Sequence, residues 1–129
     1  MSKKTILLAG SDKKKMSIFK SYFEKMTYKI IISFSQKETE SIIASHKPDL
    51  AIFDLIMENE DSGFILAYKF KKLYPDVPVI IQSSSSKYKN ITFSLDTVEE
   101  RKWIKADAII EKTTSPDQLQ KEIFKLLKL

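Results

Sequence analysis

Three side chains of complementary chemistry stand just past apolar runs in this 129-residue chain. Asp54 follows the run from Leu50 to Phe53, Ser83 follows the run from Val77 to Ile81, and Lys112 follows the run from Asp107 to Ile110. A carboxylate, a hydroxyl and an ammonium group brought to one point suit the acceptance of a phosphoryl group. The carboxylate oxygen attacks phosphorus, the ammonium neutralises phosphoryl oxygens, and the hydroxyl donates a hydrogen bond to one of them. Each residue also has a plain structural reading. Asp54 suits a turn cap, Lys112 a solvated surface, and Ser83 opens a run of serines through Ser86 that reads as a loop.

Bringing the three together requires an ordered alternation of elements. Thr5 to Ala9 is a short apolar run of the kind a strand buried on both faces needs. Met16, Phe19, Tyr22, Phe23 and Met26 recur at helical spacing, which predicts a helix over residues 12–27. Tyr28 to Phe34 reads as a second strand. Ser35 followed by Glu38 is a capping box that opens a helix containing Ile42 and Ile43. Pro48 and Asp49 break the chain before a third strand, Leu50 to Phe53, whose tip presents Asp54 as an exposed carboxylate.

Ser62 and Gly63 open a helix with Ile65, Leu66, Phe70 and Leu73, ending near Tyr74 and Pro75. Val77 to Ile81 and Asp107 to Ile110 read as the fourth and fifth strands. Ser115, Pro116 and Gln118 then form a helix start, with Leu119, Ile123, Leu126 and Leu127 on its apolar side. Strands separated by helices pair in parallel through right-handed crossovers, which gives an α/β, doubly wound sheet of five strands with helices on both faces. Ligand sites in such sheets lie beyond the carboxyl ends of the strands. That rule selects residues 9–12, Asp54 onward, Ser83 onward and residues 111–113.

Composition narrows the function classes. The absence of cysteine excludes disulfide scaffolds, thiol catalysis and cysteine-based zinc sites. No apolar run approaches the length of a signal-peptide core or a membrane span, so a cytoplasmic location is expected. Lysine and arginine number 22 against 17 acids, for a net charge of +5. The lysines, Lys13 to Lys15 among them, are scattered and read as solvated helix faces, so no nucleic-acid or membrane partner is inferred. His46 stands before Pro48 as a helix C-terminal residue, and a lone histidine makes no metal cluster.

The blocks from Pro48 to Met57, a glycine shortly after, Val77 to Ile81 and Asp107 to Lys112 resemble, in order, the signature of response-regulator receiver domains. The resemblance covers nearly the whole chain. It implies a flavodoxin-like strand order 2-1-3-4-5 and a single receiver-like domain over residues 1–129 with no output domain. It also implies a signalling module rather than an enzyme. Asp54 is then the phosphoacceptor, with Ser83 and Lys112 binding phosphate and switching. The implied partners are a histidine kinase or phosphotransfer protein and an unidentified protein target, and the resemblance leaves room for a homodimer.

Several positions depart from that family. Receivers carry an acidic pair after the first strand to hold a divalent metal, where this chain has Gly10 and Ser11, with Asp12 adjacent. The remaining metal set is Asp12, Asp54 and the backbone of Ile56, which implies weak magnesium binding, since magnesium prefers carboxylate and water oxygens. Ile109 stands where many receivers have a switching aromatic. The long stretch from Ser84 to Ala106 carries Tyr88, Phe93 and Trp103, anchors of the type that protein contacts favour. These features point to an atypical stand-alone receiver with weakened magnesium-dependent phosphorylation. The alternatives are a phosphorylation-independent pseudo-receiver adaptor and a flavodoxin-like cofactor-binding domain. Against the latter, Gly10 and Gly63 are the chain's two glycines and form no glycine-rich phosphate loop.

Overall fold

A computed structural model describes residues 4–59, 61–83, 106–111 and 116–127, with backbone alone at Ser83, Ile109, Glu111 and Gln118. Five strands, β1 (Thr5–Ala9), β2 (Lys29–Ser33), β3 (Leu50–Asp54), β4 (Val79–Ser83) and β5 (Ala108–Glu111), alternate with helices. These helices are α1 (Lys13–Lys25), α2 (Gln36–Ser45), α3 (Ser62–Leu73) and a C-terminal helix (Pro116–Leu127). All strand pairs are parallel, in the order β2-β1-β3-β4-β5. The doubly wound arrangement expected from the alternation is the one observed. Among the described residues, no helix is long and apolar enough to cross a membrane.

Strand parity divides the core into two layers, because successive side chains leave opposite faces of a strand. Ile6, Leu8, Ile30, Leu50, Ile52 and Ile80 pack with Met16, Phe19 and Phe23 of α1 and with Leu119 and Ile123 of the C-terminal helix. Leu7, Ala9, Ala51, Phe53, Val79 and Ile81 pack with Ile43 of α2 and with Leu66, Ala67 and Phe70 of α3. Phe23, Phe53 and Phe70 are among the largest fully buried side chains. The same parity fixes the site. Gly10, Asp54 and Gln82 extend the series 6-8, 50-52 and 80 by one step each, so all three belong to the α1 face at the carboxyl edge.

Two aspartates start strands by the same device. The Asp49 N–H donates to the Thr5 carbonyl at 2.8 Å while the Thr5 N–H donates to Asp49 Oδ2 at 2.7 Å. Asp107 and Val79 make the same reciprocal pair, at 2.8 and 2.7 Å, and Lys71 adds an ion pair to Asp107. This explains two shifted boundaries. Asp107 caps rather than opens β5, and β4 starts at Val79 because the Val77 N–H is turned to the Tyr74 carbonyl at 3.1 Å.

The helix ends also follow local chemistry. Ser35 caps α2 as expected, the Glu38 N–H donating to Ser35 Oγ, while the Glu38 carboxylate reaches back one residue further, to the Phe34 N–H. Asp12 caps α1 by accepting from the Lys15 N–H at 3.1 Å. The other end of α1 closes in a Schellman motif. The Tyr28 N–H reaches the Phe23 carbonyl and the Thr27 N–H reaches that of Glu24, with the Phe23 and Tyr28 rings in edge contact. Thr27 takes the left-handed backbone there, φ 70°, where glycine is usual. The helix therefore stops short of the expected residue 27.

Candidate functional site

β3 lies at the centre of the sheet, and its last residue, Asp54, carries the carboxylate at the edge that α1 overhangs. The expectation of an exposed carboxylate is corrected here: Asp54 is 7% exposed. Two side chains cover it. The Lys15 ammonium donates to Oδ1 at 3.1 Å and to Oδ2 at 3.2 Å, and Gln82 Nε2 donates to Oδ1 at 2.7 Å. Gln82 is itself 1% exposed, and its Oε1 has no hydrogen-bond partner among the described residues. Burial of a carboxylate without compensation is costly, so a charged and a neutral donor here offset the lost water.

Neither partner was identified from sequence. Lys15 read as one of three solvated lysines, yet it lies in register with Phe19 and Phe23 on the buried stripe of α1, one turn before them. A cation placed on an apolar stripe is the sequence trace of an inward ion pair. Gln82 shows the same kind of trace, an amide that directly follows the apolar Val79, Ile80 and Ile81 in its strand. The ammonium expected beside Asp54 was that of Lys112; among the described residues it is that of Lys15.

Gly10 makes room for the arrangement. A Cβ built there would lie 2.3 Å from Asp54 Oδ2, 2.8 Å from its Cγ and 3.0 Å from Met16 Sδ. The strand-tip position that would bring a second carboxylate is thus filled by the carboxylate of Asp54. Behind the site, the Gly63 N–H donates to the Leu55 carbonyl at 2.8 Å, and a Cβ on Gly63 would lie 2.7 Å from Leu55 Cα. α3 is seated tightly against the turn that leaves Asp54.

Burial pushes the Asp54 carboxyl above the usual carboxylate range; the Lys15 charge and the hydrogen bonds from Lys15 and Gln82 pull it back in part, and the nearby Asp12 pushes it up. Glu58, in the loop after β3, turns away from the site. Its carboxylate accepts the Gln36 and Lys37 N–H groups at the start of α2, and those backbone bonds hold its carboxyl below the ordinary value.

The donor set does not fit a divalent cation. Gly10 and Ser11 bring no carboxylate, Asp12 is exposed and occupied in capping α1, and an ammonium lies against both oxygens of Asp54. Ile56 is half-buried in the turn two residues on. Among the described residues, no group of three or more histidine, cysteine, aspartate or glutamate side chains could hold a metal ion. The backbone of Ser83 ends β4 opposite Glu111, the last residue of β5. The Ser83 and Ile109 side chains lie outside the described residues, as do Lys112, Tyr88, Phe93 and Trp103 in full.

The family model described as response regulator receiver domain matches residues 6–124. A curated relative, the response regulator GtcR of Aneurinibacillus migulanus, is 33% identical over 84 residues, which is 65% of this chain and 34% of that protein. The aligned part is thus about a third of that relative's length. Among solved structures, a CheY-like response regulator receiver domain protein of Methanospirillum hungatei is similar at 25% identity, with a TM-score of 0.81 and coverage of 98% of this chain and 95% of that one. A Francisella response regulator receiver domain is similar at 26% identity and a TM-score of 0.76, with 97% of both chains covered. The response regulator TrrA of Thermotoga maritima, solved with Mg2+ and BeF, shares the fold at 21% identity and a TM-score of 0.76, covering 95% and 98% of the two chains.

Proposed function

The chain belongs to the response regulator receiver domain family of two-component signalling, and on that premise we propose that Asp54 is its phosphoacceptor, in a site that dispenses with magnesium. The observation that carries this reading is the buried Asp54 carboxylate at the tip of the central strand, held by Lys15 and Gln82. In the proposed step, an Asp54 oxygen attacks the phosphorus of a phosphohistidine on a histidine kinase or phosphotransfer protein. The new O–P bond forms as the N–P bond breaks, and the leaving imidazole nitrogen takes up a proton. Ser83 and Lys112 are assigned to the phosphoryl oxygens by the family resemblance, with the surface at β5 presented to a protein target. A signalling role in the cytoplasm, rather than enzymatic turnover, completes this reading.

A second reading is favoured by the same ion pair. A carboxylate already neutralised by Lys15 is a weaker nucleophile, so the domain would act as a phosphorylation-independent adaptor through the same surface. Transfer of radiolabelled phosphate from a histidine kinase or a small phosphodonor separates the two, with Asp54→Ala as control. Labelling that disappears in Asp54→Ala supports the acceptor reading; no Asp54-dependent label supports the adaptor.

A further inference from the structure

We propose that the Lys15 ammonium is the resident cation of this site, the group that keeps a divalent ion off Asp54 and stands in its place. The inference rests on reading Asp54 as the acceptor position. Its support is geometric. Lys15 Nζ bridges both carboxylate oxygens, at 3.1 and 3.2 Å, so each oxygen carries a cationic donor already. The two side chains are 17% and 10% exposed, which weakens the screening that water gives a surface pair. A magnesium ion binds carboxylate oxygen at about 2.0–2.1 Å and demands near-octahedral oxygen ligation. Among the described residues it could reach these oxygens only beside a fixed positive charge, with Asp12, exposed and engaged in capping α1, as the other carboxylate nearby.

The rest of the pocket agrees with a built-in cation. Asp12 fixes the first turn of α1 by accepting the Lys15 backbone N–H, which sets where the Lys15 side chain begins. Gln82 spends its amide donor on Oδ1, holding the carboxylate toward the lysine. Gly10 removes the side chain that would otherwise push the carboxylate away, since even a methyl group there would meet Oδ2 at 2.3 Å. Gly10, Asp12 and Gln82 thus serve one ammonium–carboxylate pair. Lys15 acts as a positioning residue for Asp54.

The test uses Mn2+ alone as the probe, read by paramagnetic broadening of the backbone amide signals of Ala9, Gly10 and Leu55 in the intact chain. Wild type is compared with Lys15→Met, which keeps the length and apolar stem of the side chain. The apparent Mn2+ affinity at these amides is expected to rise by at least about tenfold in Lys15→Met. Adding Asp54→Asn to that variant is expected to abolish the gain. Lys15→Arg, which retains the charge, is expected to behave as wild type. The amide spectra report folding directly, and Lys15→Gln replaces Lys15→Met if the latter does not fold. A smaller change overturns the proposal, whether both proteins bind Mn2+ equally or neither binds. Because this readout involves no phosphodonor, its outcome is independent of whether Asp54 is ever phosphorylated.

Discussion

Lys15 and Asp54 lie 39 residues apart in sequence, yet the ammonium of one donates to both carboxylate oxygens of the other, at 3.1 and 3.2 Å. The pair ties the first turn of α1 to the tip of β3. It sets the charge of the site and supplies part of the contact between these elements.

Removing the lysine should therefore cost stability as well as change the site. Lys15→Met leaves a buried carboxylate without its charged partner, and a loss of about 1–3 kcal/mol at neutral pH is expected. The loss should shrink in acid, because a protonated Asp54 no longer needs the ammonium. Denaturant unfolding of both proteins near pH 7 and near pH 4 checks this; a pH-independent difference would contradict it.

The pH dependence of Asp54 itself has a fixed sign. Burial holds its carboxyl above the ordinary range in the folded chain, despite Lys15 and Gln82. A group with a raised folded pKa stabilises fully below its unfolded pKa, and that contribution is lost as pH rises through the folded value. The stability of wild type relative to Asp54→Asn should accordingly fall between acid and neutral pH. Unfolding curves of the two proteins across that window give the answer. A relative gain for wild type toward neutrality would mean that the ion pair outweighs burial.

The two glycines should respond differently to a methyl group. In Gly63→Ala the new Cβ meets backbone, Leu55 Cα at 2.7 Å and the Asp54 carbonyl oxygen at 2.8 Å, which cannot turn aside. A loss of about 3 kcal/mol or more is expected. In Gly10→Ala the nearest atoms belong to the Asp54 carboxylate, which can rotate at the expense of Lys15. The expected loss is smaller, about 1–2 kcal/mol, with the lysine pairing disturbed. Thermal unfolding of both variants ranks them.

Thr27 offers the opposite change. A β-branched residue in the left-handed region is strained, and the Schellman hydrogen bonds around it require that backbone. Thr27→Gly should stabilise the chain by up to about 1 kcal/mol, after allowing for the greater freedom glycine has when unfolded. A lower midpoint in urea than wild type would argue against strain at this turn.

Much of the fold was legible because its layers follow simple periods. Apolar runs gave five strands, the spacing of Met16, Phe19 and Phe23 gave α1, and Ser35 with Glu38 gave the start of α2. Asp54 was legible as a strand-tip carboxylate for the same reason. Its environment was not. Burial of Asp54 depends on Lys15 folding inward from a run of lysines and on Gln82 from the neighbouring strand, and charge on a helix reads as solvated unless a distant partner is known. Boundaries moved where side chains replaced backbone bonds, as Asp107 does for Val79. Glu58, just past the same strand tip, was silent in the sequence because its partners, the open N–H groups of Gln36 and Lys37, are backbone groups of a distant helix start.

Asp54 is proposed to accept a phosphoryl group beside a lysine that replaces the metal. The rate of Asp54 labelling by a small phosphodonor, with magnesium and then with excess chelator, tests it most directly. Labelling is expected to be confined to Asp54 and equal under the two conditions. Labelling that collapses when magnesium is removed would contradict it.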